Sequence, residues 1–216
     1  MLLRLILLLV IYAPCLAQYD AGTAQRLFDS GKFAEAKQGY LQLLKKEPAN
    51  TLYLERLGDI SSQASQWKQS SGYYKRFRDL DPGNANAHYK YGGALSMIAA
   101  QSGKLTALGM IGEIKASFEK AIVLEPTHVQ ARWALVEYYL QVPGILGGSE
   151  SKATEYANQL LPLSPVDHYL ARGRIEEYFG RLKKAEVQFV KAHAVGNSKI
   201  TREKLNGIRL KMKHEG

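Results

Sequence analysis

The chain has 216 residues, with 29 Lys and Arg, 20 Asp and Glu, one Cys and a formal net charge of +9. With 46% apolar and 23% charged residues it has the composition of a globular protein, which excludes a disordered tail and a disulfide scaffold. The length allows one domain or two small ones.

The N-terminus has the pattern of a secretory signal peptide. Arg4 precedes an uninterrupted apolar run at 5–11, and the segment ends with Cys, Leu and Ala at 15–17. The run is shorter than a membrane span, and Pro14 would break a helix there. We expect cleavage after Ala17, and an uncleaved N-terminal membrane anchor is the alternative.

Cleavage after Ala17 would also remove Cys15, the only cysteine. The exported chain would then have no disulfide, no thiolate nucleophile and no Cys-ligated metal, so its fold would depend on packing alone. We therefore predict an exported protein, and the periplasm is its expected location.

Prolines recur along the rest of the chain at intervals close to a fixed period. Pro48 and Pro82 are 34 residues apart, and Pro126 and Pro165 continue the series at longer intervals. A period of about 34 residues is typical of helix–turn–helix units that bury their apolar faces by stacking on one another. Apolar residues within 34–44 also recur at the helical spacing i, i+4, i+7, i+8.

The residues between these prolines resemble the tetratricopeptide repeat (TPR) family. Its pattern has a small residue in the first helix, aromatic residues near the helix junctions, and Pro at the exit of each repeat. Small residues let helix backbones approach, and aromatic residues fill the space between helices. The matches, in chain order, are Ala24, Gly31, Tyr40 and Pro48; Gly58, Trp67, Tyr74 and Pro82; Gly92, Phe118, Ala121 and Pro126; Leu135, Tyr139, Ala153 and Pro165; and Gly173, Gly180, Phe189 and Ala192.

The resemblance implies an all-α fold, a right-handed solenoid of about five TPR-like helical hairpins. The hairpins are expected at roughly 18–50, 51–84, 85–128, 129–165 and 166–197. A last helix within 198–216 carries a narrow apolar stripe at Leu205, Ile208 and Met212. We expect this helix to cap the open end of the stack.

Two units are longer than the period. The third has ten extra residues within 99–111, and the fourth has five extra residues at 142–149. Extra residues in a solenoid usually form loops between helices, so we expect the two inserts to lie close together on one edge. This pairing resembles a subgroup of exported bacterial TPR proteins and implies no activity. Gly147, Gly148 and Ser149 are expected to form a tight helix connector with Ser149 as N-cap, and an anion site is the alternative.

Sequence signs of catalysis are largely absent. The five His residues are dispersed, and none forms a short-spaced pair with another His or with Cys. The nucleophile pattern Gly-x-Ser-x-Gly and the nucleotide-binding P-loop are both missing. We therefore expect a protein that is not an enzyme, with no catalytic residue, no cofactor and no metal.

A binding surface is the better functional prediction. In TPR proteins the first helix of each repeat lines a concave groove, and carrying those positions over implies a groove for a peptide or a partner protein. Aromatic side chains beside fixed charges are typical of binding hot spots. The implied residues are Phe28, Glu55, Asp59, Tyr89, Met97, Trp133, Glu137, Leu140 and Arg174. For Tyr89 and Trp133 the alternative is packing between helices.

The positive charge is concentrated at the C-terminal end. Residues 171–216 contain 12 Lys and Arg against 5 Asp and Glu, and the last helix carries Lys199, Arg202, Lys204, Arg209, Lys211 and Lys213. The alternative function is therefore a peripheral cell-envelope protein whose basic end contacts an anionic membrane or an acidic partner. Nucleic acid is not an expected partner, since no recognition motif is present. The oligomeric state stays open.

Overall fold

The structure is a computed structural model that describes residues 19–215. The predicted signal peptide at 1–17 and Cys15 lie outside these residues. The described part of the chain contains eleven α-helices and one short 3₁₀ helix, without strands. The prediction of an all-α fold is confirmed. The chain divides into two compact units, Met1–Pro48 and Ala49–Gly216.

The first unit holds one helical hairpin, α1 (Ala21–Asp29) and α2 (Phe33–Lys46). Asp20 caps α1, because its carboxylate accepts a hydrogen bond of 2.6 Å from the backbone N–H of Thr23. Small residues lie where the two helices meet: Ala24 and Ala36 have no exposed surface. A Cβ on Gly39 of α2 would lie 3.1 Å from the Cβ of Ala24 on α1, so the hairpin closes on small residues, as the repeat pattern predicts.

The second unit begins with the hairpins α3 (Thr51–Gln63) with α4 (Trp67–Leu80), and α5 (Ala85–Gln101) with α6 (Lys104–Leu124). It continues with α7 (Val129–Gln141), the 3₁₀ helix Gly144–Leu146 and α8 (Glu150–Gln159). The last three helices are α9 (Pro165–Tyr178), α10 (Leu182–Gly196) and α11 (Lys199–Glu215). Within this unit consecutive α-helices pack on one another, and α7 also contacts α5 and α9.

Close contacts between glycines and aromatic rings fix the hairpin geometry. A Cβ on Gly58 would lie 2.3 Å from the Tyr74 ring, and one on Gly173 would lie 2.4 Å from the Phe189 ring. Both glycines are on the first helix of a hairpin and both rings are on the second. At these small-residue positions the two helices of a hairpin touch, and a larger side chain would push the helices apart.

Polar side chains mark where the first helices begin. Asn50, Asn84 and His128 each stand two residues after a repeat proline and cap α3, α5 and α7. At the fourth proline the arrangement differs: Ser164 is the cap and Pro165 is the first residue of α9. Proline suits that position because its missing N–H would have no helical partner there.

The extra residues of the third unit are helical. Helix α5 has 17 residues and α6 has 21, whereas α3 and α4 have 13 and 14. Only Ser102 and Gly103 connect α5 to α6. The expectation that this insert forms a loop is therefore wrong: it lengthens both helices of one hairpin, because Pro is absent from 99–111 and small and apolar residues predominate there.

Candidate binding groove

A groove of about 1060 Å³ lies on the lengthened hairpin of the second unit. Helices α5, α6 and α7 line its length, and α3 and α4 contribute at its edge. Its apolar lining includes Tyr89 and Met97 from α5, Ile111, Ile114 and Phe118 from α6, and Ala134 from α7. A concave site of this size with a few polar groups can hold part of another molecule.

Both inserts line this groove. The third-unit insert contributes Ala99, Ala100 and Leu108, and the fourth-unit insert contributes Pro143 and Leu146. The C-terminal ends of α5 and α7 and the N-terminal end of α6 come together here, since consecutive helices run in opposite directions. The expectation that the two inserts lie close together is confirmed, and the groove is the surface that they form.

Trp67 brings an unpaired donor to the groove. Its indole Nε1 is buried and has no hydrogen-bond acceptor among residues 19–215. A buried donor without a partner costs about 1–3 kcal/mol. An occupant with an acceptor that reached this N–H would remove that cost.

A polar belt lies beside the apolar lining. Lys90 of α5 forms ion pairs with Asp59 at 2.5 Å and with Glu55 at 2.8 Å, both on α3. Asn86 donates a further hydrogen bond of 2.8 Å to Glu55. The Tyr74 hydroxyl donates to Asp59 at 2.7 Å. The Lys90 and Asn86 contacts join the first helices of two consecutive hairpins, and the Tyr74 contact joins the two helices of one hairpin.

Burial and the Asp59 carboxylate both raise the pKa of Tyr74. Burial disfavours a phenolate, and the neighbouring negative charge adds to this effect. Tyr74 therefore stays neutral at physiological pH and acts as a hydrogen-bond donor.

Two contacts join α7 to α9 in the same way. Arg174 donates to Glu137 from Nε at 2.7 Å and from Nη2 at 3.1 Å. The Trp133 indole N–H donates to the Asp167 carboxylate at 2.8 Å. Trp133 is partly buried and packs against the main core, so the alternative of packing between helices describes it well.

The structure brings only part of the predicted set together. Tyr89, Met97 and Glu137 line the groove. Leu140 does not face open space: only 3% of it is exposed, because it lies on the core side of α7. Phe28 lies in the first unit, where its ring meets Phe33 edge to face at 5.6 Å.

The largest omission from the sequence prediction is α6. The family pattern assigns groove residues to the first helix of each repeat. Helix α6 is a second helix, yet it contributes Leu108, Ile111, Ile114 and Phe118 to the groove. The uncharged stretch 105–112 could have indicated that α6 contributes to a binding surface, because such a stretch is unusual in a chain with 23% charged residues. That stretch is apolar on several sides, so its periodicity does not mark one face.

The segment 142–149 forms a tight connector. The backbone N–H groups of Leu146, Gly147 and Gly148 donate to carbonyls of residues 143–144, and that of Ser149 donates to Tyr139. The Ser149 hydroxyl caps α8 by accepting from the N–H of Lys152 at 3.2 Å. The four N–H groups of 146–149 therefore already have acceptors, and the alternative of an anion site is wrong.

Four of the five histidines, His88, His128, His168 and His193, have local structural contacts within the described residues. Nδ1 of His128 accepts from the N–H of Ala131 at 3.2 Å, and burial lowers the pKa of His128. His168 Nδ1 lies 2.8 Å from the Ala157 carbonyl oxygen. Within residues 19–215, His, Cys, Asp and Glu form no group of three that could hold a metal ion.

The basic residues of α11 are divided between ion pairs and open surface. Thr201, Leu205 and Ile208 are buried, and the two apolar ones join Phe189 of α10 in one cluster. Arg209 pairs with Glu186 at 2.7 Å, and Lys211 pairs with Glu177. Lys199 lies 3.8 Å from Glu203. The cations that are exposed without a pair described above are Arg202, Lys204 and Lys213.

Comparison with solved structures shows the same architecture in three TPR proteins. TTC0263 from Thermus thermophilus, described as a thermophilic TPR protein, gives a TM-score of 0.71 at 17% identity, over 87% of this chain and 95% of that one. A crystal structure of MamA gives 0.62 at 24% identity, over 86% and 96%. YrrB, described as a TPR protein with an unusual peptide-binding site, gives 0.59 at 14% identity, over 87% and 89%.

No protein-family model matches the sequence, and no curated protein matches it significantly. At these identities the structural likeness concerns the fold alone. Hairpins of about 34 residues, glycine–aromatic contacts and this likeness agree: the chain has the TPR fold, an all-α solenoid of helical hairpins with a C-terminal helix.

Proposed function

We propose that the protein is an interaction scaffold that holds a segment of a partner protein in the groove on α5, α6 and α7. The single observation that supports this proposal is the apolar lining of a groove of about 1060 Å³, to which both inserts contribute. Burying apolar surface is the main driving force of protein association. YrrB, with the same fold, is described as having a peptide-binding site, which is consistent with this proposal.

The polar belt would orient the partner segment in the groove. Lys90 and Glu137 line the groove, yet both already have oppositely charged partners on neighbouring helices. Their hydrogen-bonding capacity is therefore mostly used, and most of the binding energy would come from apolar contact. We expect a partner segment that presents apolar side chains to the groove.

Gly93 offers a way to block the groove without disturbing the fold. It lines the groove, and a Cβ built on it would meet no atom within 4 Å. Gly93→Phe would place an aromatic ring in the groove and obstruct part of it, whereas Gly93→Ala adds one methyl group and serves as the matched control.

The test uses a photoreactive amino acid at Met97, which is 39% exposed in the groove, and a second one at Lys183 on α10 as the position control. We expect a discrete protein adduct from position 97 in cells, retained in Gly93→Ala and lost in Gly93→Phe. Arg202→Glu with Lys204→Glu should leave the adduct unchanged. An adduct that survives Gly93→Phe, or that depends on Arg202 and Lys204, would mean that the partner binds another surface of the protein.

We also propose that this scaffold is exported, with the periplasm as its location. The support is the basic start at Arg4, the apolar run 5–11 and the exit at 15–17. N-terminal sequencing of the protein from fractionated cells tests it. A periplasmic product that begins at Gln18 is expected, and a product in the cytoplasm with Met1 retained would contradict export.

A further inference from the structure

The two most exposed large apolar side chains of the described residues lie on the two inserts. Leu105 is 86% exposed and Ile145 is 95% exposed. Their chain neighbours Lys104 and Leu146 both line the groove, at the end where α5 and α7 finish and α6 begins. We call residues 103–109 and 143–147 the insert tip.

The two stretches of chain that carry the insert tip contain no acidic residue, and Glu113 and Glu150 follow them directly. Residues 91–112 contain a single charged residue, Lys104, and residues 138–149 contain none. Both stretches belong to a chain in which 23% of residues are charged. An anionic surface would therefore meet one cation and no carboxylate within these two stretches.

Several backbone groups of the tip are already hydrogen bonded. Leu105 lies in the first turn of α6, where Ala107 donates to the Gly103 carbonyl at 3.0 Å. Around Ile145, the N–H groups of Leu146 and Gly147 donate to Pro143 and Gly144. Polar backbone groups without partners oppose entry into a lipid environment, and these bonds lower that cost. The first N–H groups of α6, which has no side-chain cap, would stay at the level of the headgroups, where water is available.

From these observations we propose that the insert tip binds the surface of a lipid bilayer that contains anionic lipids. Leu105 and Ile145 would enter the boundary between headgroups and acyl chains, and Lys104 would contact the headgroups. A fluid bilayer accepts side chains that protrude singly, whereas a protein partner would need a matching pocket for each. None of the helices within 19–215 is long and apolar enough to cross a membrane.

The insert tip and the basic helix α11 would bind a membrane through different forces. Binding through α11 would be electrostatic and would weaken steeply with added salt. Binding through the tip would depend mainly on apolar burial and only partly on Lys104. The tip shares Lys104 and Leu146 with the groove, but the two proposals can be tested separately, because Gly93→Phe changes the groove and leaves Leu105 and Ile145 unchanged.

The test is co-sedimentation with vesicles of phosphatidylcholine and phosphatidylglycerol at 7:3. Every variant is the full exported chain, so that all variants share the same N-terminus. We expect binding by the wild type and at least about a tenfold loss in Leu105→Ser with Ile145→Ser, since each side chain loses its apolar contact. The matched control is Val187→Ser with Val190→Ser, on α10, where the side chains are 53% and 42% exposed.

A second measurement locates the contact. Lipids with brominated chains should quench the fluorescence of Leu105→Trp and leave that of Val187→Trp unchanged. Because position 105 is on the surface, neither substitution should alter the thermal unfolding curve. The proposal is overturned if the wild type does not sediment with the vesicles, if the Leu105 and Ile145 variant binds as well as the wild type, or if both tryptophans are quenched equally.

Discussion

Arg174 on α9 donates hydrogen bonds to both carboxylate oxygens of Glu137 on α7, a residue 37 positions earlier in the chain. The two hydrogen bonds measure 2.7 and 3.1 Å and form a forked contact between the first helices of consecutive hairpins. Glu137 also lines the groove. The contact therefore links the packing of one repeat on the next to the position of a groove side chain.

We predict a measurable coupling between Glu137 and Arg174. The side chains are 39% and 26% exposed, so solvent screens the pair and the coupling should be about 0.5–1 kcal/mol. Urea unfolding of Glu137→Ala, Arg174→Ala and the double variant measures it. Additive losses in the double variant would mean that the pair contributes to orientation and not to the free energy of unfolding.

Adjacent glycines on α5 should respond in opposite directions to substitution by alanine. A Cβ on Gly92 would lie 2.9 Å from Ser117 Cβ and 3.0 Å from the Phe118 ring, so Gly92→Ala should lower the free energy of unfolding by about 1–3 kcal/mol. Gly93 has open space, so Gly93→Ala should raise it by about 0.5–1 kcal/mol through helix propensity. Thermal or urea unfolding distinguishes the two. Equal effects would mean that α5 and α6 do not pack as described.

The connector 142–149 should depend on Gly148. A Cβ there would lie 1.7 Å from the Val142 carbonyl oxygen, a backbone atom that cannot move aside, so Gly148→Ala should destabilise the protein by about 2 kcal/mol or more. Gly144→Ala, where a Cβ would have free space, is the control and should change the free energy of unfolding by less than about 0.5 kcal/mol. Circular dichroism during urea unfolding measures both. A Gly148→Ala variant with the same free energy of unfolding as the wild type would contradict this turn geometry.

His128 should make the stability of the protein depend on pH. Burial lowers its pKa in the folded state, so the unfolded chain binds more protons as the pH falls below the ordinary histidine value of about 6.5. Its contribution to stability is complete above that value and is lost as the pH falls through the lower, folded-state pKa. Protonation also removes the Nδ1 acceptor that caps α7.

The control for this effect is His128→Asn, which keeps an N-cap acceptor that does not titrate. Unfolding measured in urea between pH 7.5 and 5 should show a smaller loss of stability for His128→Asn than for the wild type. His128→Ala should lose about 1 kcal/mol at the higher pH, because it has no cap. Parallel pH curves for the wild type and His128→Asn would assign the pH dependence to other groups.

Much of the hairpin architecture could be predicted from the sequence, because its determinants are local and repeated. Gly58 and Tyr74, or Gly173 and Phe189, stand 16 residues apart in both hairpins, and the structure places each pair in contact. The caps Asn50 and Asn84 follow from the prolines before them. Such features need only the period and elementary helix chemistry.

The site is harder to predict because its contacts cross between repeats. Lys90 pairs with carboxylates 31 and 35 positions earlier in the chain, so the sequence shows the charges without their pairing. The repeat position of Leu140 predicts a groove residue, but the rotation of α7 about its axis places it in the core. The helical form of 99–111 is also hidden, since small and apolar residues fit a helix and a packed loop equally well.

The lengthening of the third hairpin has a consequence for how such a protein changes over time. Relative to α3 and α4, helix α5 gains four residues and α6 gains seven, which is close to one and two whole turns of 3.6 residues. Additions of whole turns keep every side chain on its original face. The hairpin can therefore gain or lose whole turns at the end where α5 meets α6. Such changes alter the length of α5 and α6 that lines the groove and keep the contacts at the other end of the hairpin.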